Sequence, residues 1–163
     1  MSVNRSEDEA ELAPAGSSSG AEYHRDFYSW LMEQARHLRA GRWTALDREN
    51  LAEEIESLGR EQFNKLESAL RVLILHMLKW DHQAERRGRS WSLSIRQQRL
   101  ELDDILADNP GLRGRIPEAI ARAYRKARLQ AANETGIDED RFPQSCPYTW
   151  VEIVSREFSS SER

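Results

Sequence analysis

The sequence has 163 residues, of which 39% are hydrophobic and 32% are charged. This length suits one domain with a core, and so polar a composition is typical of charged amphipathic helices rather than of a membrane protein. The formal net charge of −4 argues against a general nucleic-acid or anionic-membrane binder. The longest unbroken apolar run covers only Val72 to Leu75, which is too short to span a bilayer.

The ends of the chain and its single cysteine predict a cytoplasmic protein with a folded middle. Residues 1–21 are acidic at first and then rich in serine and glycine, so we expect a disordered tail without signal-peptide character. Cys146 has no second cysteine with which to form an intrachain disulfide, which suits a reducing compartment. We expect residues 22–158 to form a single helical domain and residues 159–163 to be a frayed C-terminus.

Apolar residues recur every three or four positions along most of the remaining chain, which predicts a series of amphipathic helices. The first covers about residues 26–40, and its expected inward face comprises Phe27, Leu31, Gln34, Ala35 and Leu38, with Trp30 on the flank. The second begins near residue 47, and we expect Gly59 to end or kink it. Its apolar stripe, which we expect to face inward, consists of Leu51, Ile55 and Leu58.

A third helix over about residues 60–83 is apolar on more than one side, which predicts that it lies at the centre of the fold. The fourth covers about residues 90–108, and the fifth runs to about residue 135. Thr149 and Glu152 form a capping box for a short last helix. Because no segment alternates with period two, we predict an all-α protein, a compact antiparallel bundle of about five to six helices.

Several runs of residues, in order along the chain, together carry a resemblance to a known family. The runs are Asp26-Phe27-Tyr28-x-Trp30, Leu46-Asp47-x-Glu49-Asn50-Leu51-x-Glu53-Glu54-Ile55-Glu56-x-Leu58-Gly59-Arg60, His76-Met77-Leu78-Lys79-Trp80, Arg89-Ser90-Trp91-x-x-Ser94-Ile95, Glu134-Thr135-Gly136 and Phe142-Pro143-x-x-Cys146-Pro147-Tyr148-Thr149. With these runs the chain resembles an uncharacterised bacterial family, domain of unknown function family twenty-nine. The resemblance implies an α-helical fold and no established activity.

Two residues are candidates for acid/base chemistry. Glu54 borders the apolar stripe of an acidic helix, and His76 interrupts the apolar run of the third helix, where a histidine can act as a base, a ligand or a pH sensor. Each also has a structural interpretation, as a border salt bridge and as a boundary histidine. Because the chain lacks the Glu-x-x-His spacing of di-metal bundle proteins, we expect no metal site, and we expect no cofactor.

A basic turn follows the third helix, since residues 85–99 carry five arginines and one glutamate. Arginines beside a helix N-terminus can bind a phosphate, and a nearby tryptophan can stack on a base. We favour internal pairing between this turn and the acidic helix. Gln98 lies on the inward face of the fourth helix and needs hydrogen-bond partners there. The candidate binding residues are Arg86, Arg89, Trp91, Arg96 and Gln98.

The sequence lacks the short motifs of the common enzyme classes, which favours a non-enzymatic interaction module. Such a module would bind another protein, or a second copy of itself, through a helical face; we place this extra apolar face around Val72 and Leu75. Two alternatives stay open. One is an enzyme with an acid/base or metal site that uses Glu54 and His76 in one pocket. The other is an anion or nucleic-acid binder that uses Arg86 to Arg99, although the acidic chain disfavours nucleic acid as a partner and we expect no membrane partner.

Overall fold

The computed structural model describes residues 19–159, with side chains described from residue 22. Of the predicted tail, residues 1–18 lie outside the described residues, as do residues 160–163 of the predicted C-terminal fray; residues 19–21 begin the first helix. The described chain is all-α with no strand, which confirms the predicted fold class. Its six α-helices are α1 Ser19–Arg25, α2 Phe27–Arg39, α3 Arg48–His82, α4 Arg89–Asp108, α5 Ile116–Thr135 and α6 Trp150–Ser155.

The chain divides into two compact units, an N-terminal unit that ends at Ser57 and a C-terminal unit that begins at Leu58. The N-terminal unit therefore contains α1, α2 and the first ten residues of α3, and the C-terminal unit contains the rest of α3 with α4, α5 and α6. The sequence predicts one helical domain over residues 22–158, and the boundary between the two units lies within that range.

Local capping explains where several helices begin and end. The side chain of Asp26 accepts a hydrogen bond from the backbone N–H of Ser29 at 3.0 Å and so caps the start of α2. Gly136 ends α5 with a φ of +71°, a conformation that side chains disfavour. At α6 the predicted capping box is confirmed, because the Thr149 hydroxyl accepts from the Glu152 N–H while the Glu152 carboxylate accepts from the Thr149 N–H.

The predicted second and third helices are one continuous helix of 35 residues, so the expected break at Gly59 is wrong. A glycine costs a helix only about 1 kcal/mol, which the burial of the following turns outweighs. A carbon atom added at Gly59 would meet nothing within 4 Å, so no close packing explains the glycine. Neither α3 nor any other described helix has an apolar stretch long enough to cross a membrane.

The core of the C-terminal unit lies along α3 from Phe63 onward, as predicted for a central helix, with α4, α5 and the segment that leads into α6 packed against it. The predicted extra apolar face is wrong in part, because Leu75 is 3% exposed and belongs to this core while Val72 is half-buried. The largest fully buried side chains of the unit are Leu66, Leu70, Leu73, Ile74, Met77, Leu78, Ile95, Leu102, Tyr124, Phe142 and Ile153.

One carboxylate is buried beside this core. Glu67 is 3% exposed, and its two oxygens pair with Arg122, at 2.9 Å, and with Lys126. Arg122 also lies over the ring of Phe63, with its guanidinium carbon 5.2 Å from the ring centroid. A buried carboxylate needs such partners, so these contacts tie α5 to α3.

Polar contacts also fix the C-terminal segment. Arg99 on α4 donates to the backbone carbonyls of Glu152, Ile153 and Arg156 at the end of α6, and the Glu152 carbonyl also accepts from the Arg156 backbone N–H at 3.0 Å. Arg156 in turn forms two hydrogen bonds with the carboxylate of Asp81, at 2.6 and 2.9 Å, and Tyr148 donates a third at 2.8 Å. The last helix is therefore held by side chains of α3 and α4.

Candidate interaction surface

Large apolar side chains lie exposed in the N-terminal unit to an unusual degree. Of the eleven large apolar residues that are exposed among the described residues, six belong to this unit, whereas Trp30 is its one buried apolar residue. Tyr28 and Trp43 are the most open, at 71% and 65% exposure. The other four are Phe27, Met32, Leu38 and Ile55. We call these six residues the open apolar face.

Helix α2 carries apolar residues on two sides. Trp30 and Gln34 are 1% and 2% exposed and mark its buried side. At 100° per residue, Tyr28 and Met32 lie about 160° around the helix from them. This arrangement corrects the predicted inward face, because Phe27 and Leu38 are more than 40% exposed while Trp30, which was placed on the flank, is buried.

Hydrogen bonds rather than a leucine stripe attach α2 to the start of α3. The side-chain amide oxygen of Gln34, Oε1, accepts from the Asp47 backbone N–H at 2.9 Å, and the Trp30 indole N–H donates to the Asp47 carboxylate at 3.3 Å. Asn50 donates to the same carboxylate at 2.8 Å. These bonds are directional and occupy little area, so they hold the two helices together without covering their remaining apolar sides.

Glu54, the predicted acid/base candidate, accepts a hydrogen bond from the Tyr23 hydroxyl at 2.5 Å. This hydrogen bond is the main reason why the pKa of Tyr23 is raised to about 12, with smaller contributions from burial and from nearby carboxylates. The Tyr23 ring also contacts Trp30 edge-on, with ring centroids 4.9 Å apart. Glu54 therefore has a structural partner that joins α1 to α3. The two residues are 31 positions apart, so no local pattern announces the contact.

The predicted inward stripe on the first half of α3 is wrong. Ile55 and Leu58 are each 61% exposed, and Leu51 is half-buried. On the helical wheel of α3, Leu51 and Leu58 lie about 60–120° from Leu66 and Leu70, which occupy the core of the C-terminal unit, whereas Ile55 lies about 20° from Leu66. Ile55 is therefore exposed although its direction on the helix is that of the downstream core face, and it belongs to the open apolar face.

His76 lies on α3, half-buried, with its Nδ1 atom 2.8 Å from the backbone carbonyl of Val72 in the preceding turn. Glu54 lies on the same helix, 22 residues earlier, which is about six helical turns. Two side chains so far apart along one helix cannot contact the same small substrate. Among the described residues no three His, Cys, Asp or Glu side chains are grouped so that they could hold a metal ion.

The predicted anion-binding residues do not converge on one cavity. Arg96 lines a groove of 580 Å³ together with Leu93, Ile95, Arg99 and Phe158, but the other candidates do not line it. Trp91 and Gln98 are half-buried, and the Lys79 ammonium lies 5.0 Å from the centroid of the Trp91 ring. The side chains of Arg86, Arg89 and Arg96 are exposed and make no hydrogen bond or ion pair within the described part of the chain, so they do not supply the internal pairing that the sequence favours.

The fold and its exposed residues therefore define an all-α protein that leaves apolar helix surface open to solvent. The chain belongs to the family described as Domain of unknown function DUF29, whose model matches residues 22–159. This match confirms the resemblance seen in the sequence. No curated protein and no solved structure matches the chain.

Proposed function

We propose that this protein is a non-enzymatic interaction module that binds an amphipathic helix of another protein on its open apolar face. The observation that carries the proposal is the imbalance in the N-terminal unit, where six large apolar side chains are exposed and one is buried. Exposed apolar side chains grouped in this way mark interaction sites in soluble proteins, and here they belong to the described part of one unit, residues 22–57.

The composition of the face suits a binding site. Aromatic residues contribute much of the affinity at protein interfaces, and Tyr28 and Trp43 are the most exposed members of the face. An amphipathic helix is the usual occupant of an apolar helical surface, and its apolar stripe can pack on Tyr28 and Met32, which lie one helical turn apart on α2.

The charge next to the face selects the partner. Arg36 and Arg39 continue the line of Tyr28 and Met32 along α2, and neither arginine has an ion pair within the described residues. A partner helix that carries acidic residues at one end would therefore be oriented by these arginines. We place the interaction in the cytoplasm, which the lone, half-buried Cys146 supports.

Site-specific photo-crosslinking in the native cells tests the proposal. A photoreactive amino acid at Tyr28 or Met32 should give a discrete adduct with another protein, whereas the same amino acid at Leu129 or Val151, which are equally exposed on the C-terminal unit, should not. The crosslinked segment, made as a peptide, should bind the purified protein as a helix. Tyr28→Ala and Arg39→Glu should each weaken this binding at least tenfold, and Leu129→Ala should leave it unchanged. Equal crosslinking at all four positions would contradict the proposal.

A further inference from the structure

The outward side of α4 carries a stripe of two leucines and four charged residues. Leu93 and Leu100 are 49% and 61% exposed, although they belong to the helix whose other side supplies buried Ile95 and Leu102 to the core. At 100° per residue, Arg89 and Arg96 lie within about 60° of these two leucines. We call Arg89, Leu93, Arg96, Leu100, Asp103 and Asp104 the α4 stripe.

The charges of the α4 stripe are divided along the helix. Its two arginines, Arg89 and Arg96, lie in the first half, and its two aspartates, Asp103 and Asp104, lie in the second half. None of these four side chains has a hydrogen bond or ion pair with another residue of the described chain. The stripe is therefore positive at one end and negative at the other, and the charges at both ends face solvent.

We infer that the α4 stripe pairs antiparallel with the α4 stripe of a second copy of this chain, about a two-fold axis that passes between Arg96 and Gln97. In that register Leu93 faces Leu100 of the other copy, and Arg89 faces Asp104 of the other copy. Symmetry makes each of these contacts twice, as in any isologous dimer. Leu93 and Leu100 are seven residues apart, one heptad, so both stay on the contact side of the paired helices.

The stripe fits a second copy because its end charges complement each other only in the antiparallel direction, in which the two Arg96 side chains at the two-fold axis are the one like-charge contact. A parallel copy would place arginine beside arginine and aspartate beside aspartate, which is unfavourable. The groove beside Leu93 and Arg96, with Ile95 and Phe158 in its lining, adds a concave surface against which Leu100 of the other copy can pack. From Arg89 to Asp104 the contact runs along about 22 Å of helix, at 1.5 Å per residue.

An interface of one helix pair is smaller than a standard protein interface, so we expect a weak dimer with a dissociation constant on the order of 10–100 µM. This dimer is independent of the proposed function, since the open apolar face lies in the other unit of the chain. The double variant Tyr28→Ser/Met32→Ser should therefore dimerise like the wild type while it loses partner binding.

Charge reversal with rescue tests the register by sedimentation equilibrium on the full chain at concentrations up to 500 µM. Arg89→Asp alone and Asp104→Arg alone should each weaken dimerisation at least fivefold, because each places like charges opposite one another. The two single variants mixed together should associate again, and so should one chain that carries both substitutions, because opposite charges then face each other at both symmetric positions.

Circular dichroism and thermal melting show that each variant is folded, and the rescue by mixing cannot come from a folding defect. Two results would overturn the inference. One is a wild-type chain that stays monomeric at 500 µM, which would show that the α4 stripe is not an interface between two copies of this chain. The other is a pair of single variants that each lose dimerisation without regaining it on mixing, which would place the interface elsewhere.

Discussion

The buried carboxylate of Glu67 allows the contribution of an ion pair to be measured against an internal control. Glu67 is 3% exposed on α3, and its cationic partners Arg122 and Lys126 come from α5. The substitutions Arg122→Met and Lys126→Met, made together, keep most of the aliphatic length of both side chains and remove both positive charges. The carboxylate is then left in the protein without either of its partners.

The expected loss of stability depends on how exposed the carboxylate and its two cationic partners are. Breaking a buried ion pair by removing one side costs about 3–5 kcal/mol, because the remaining charge is desolvated and unpaired. The side chains of Arg122 and Lys126 are 48% and 59% exposed, so water screens part of the interaction and the lower end applies, about 3 kcal/mol. For a chain of this size the melting temperature should fall by about 10 °C.

Urea unfolding followed by circular dichroism measures this loss. Lys65→Met is the matched control, because Lys65 pairs at 3.5 Å with Glu61, a carboxylate that is 59% exposed rather than buried, in an i,i+4 pair that should contribute less than about 0.5 kcal/mol. Adding Glu67→Leu to the double variant should recover most of the stability, since no unpaired charge then remains buried. The reasoning is refuted if the double variant loses no more stability than Lys65→Met, or if Glu67→Leu lowers its stability further.

Two further predictions concern a carboxylate and two glycines. Burial raises the pKa of Asp81, but the hydrogen bonds from Arg156 and Tyr148 outweigh it and hold the pKa below its ordinary value of 3.8. The stabilisation by Asp81 is therefore present above pH 3.8 and lost as the pH falls through the lower folded-state pKa. Asp81→Asn should destabilise the protein at pH 7. In acid unfolding curves, the difference in stability between this variant and the wild type should shrink below about pH 4. Gly59→Ala should raise the free energy of unfolding by about 0.5–1 kcal/mol, because Gly59 is helical and its added carbon meets nothing. The carbon added by Gly136→Ala also meets nothing, but at a φ of +71° this substitution should lower the free energy of unfolding by about 1 kcal/mol. Denaturant titrations in which the two substitutions change the free energy of unfolding equally would contradict this pair of predictions.

Helix type and the position of the main core could be predicted from the sequence because both follow from unbroken periodicity. Phe63, Leu66, Leu70 and Leu73 recur every three or four residues and are all buried. The break expected at Gly59 was wrong because a local helix preference of about 1 kcal/mol is smaller than the burial that continues the helix. Local signals are reliable where no tertiary contact opposes them, as at the capping box of α6.

The exposed surfaces could not be predicted in the same way. A helical wheel gives the angle between Leu51, Ile55 and Leu66, but it does not say which side of the helix meets another element. The partners of Glu54 and Glu67 lie 31 and more than fifty residues away in the chain, so one sequence holds no local sign that these two carboxylates are engaged. Arg99 caps the end of α6, 54 residues away in the chain, so no local pattern indicates this role. Arg96, in contrast, could be identified only as a candidate binding residue.

Methionine oxidation tests most directly whether the N-terminal unit leaves an apolar face open. Met32 is 48% exposed within that face, and Met77 is completely buried in the core of the C-terminal unit, so one protein contains both the probe and its control. In the purified protein, dilute hydrogen peroxide followed by mass spectrometry should oxidise Met32 at least tenfold faster than Met77, and the crosslinked partner peptide should slow the oxidation of Met32 alone. Equal and slow oxidation of both residues in the purified protein would show that the face is already covered, and would contradict the proposed binding surface.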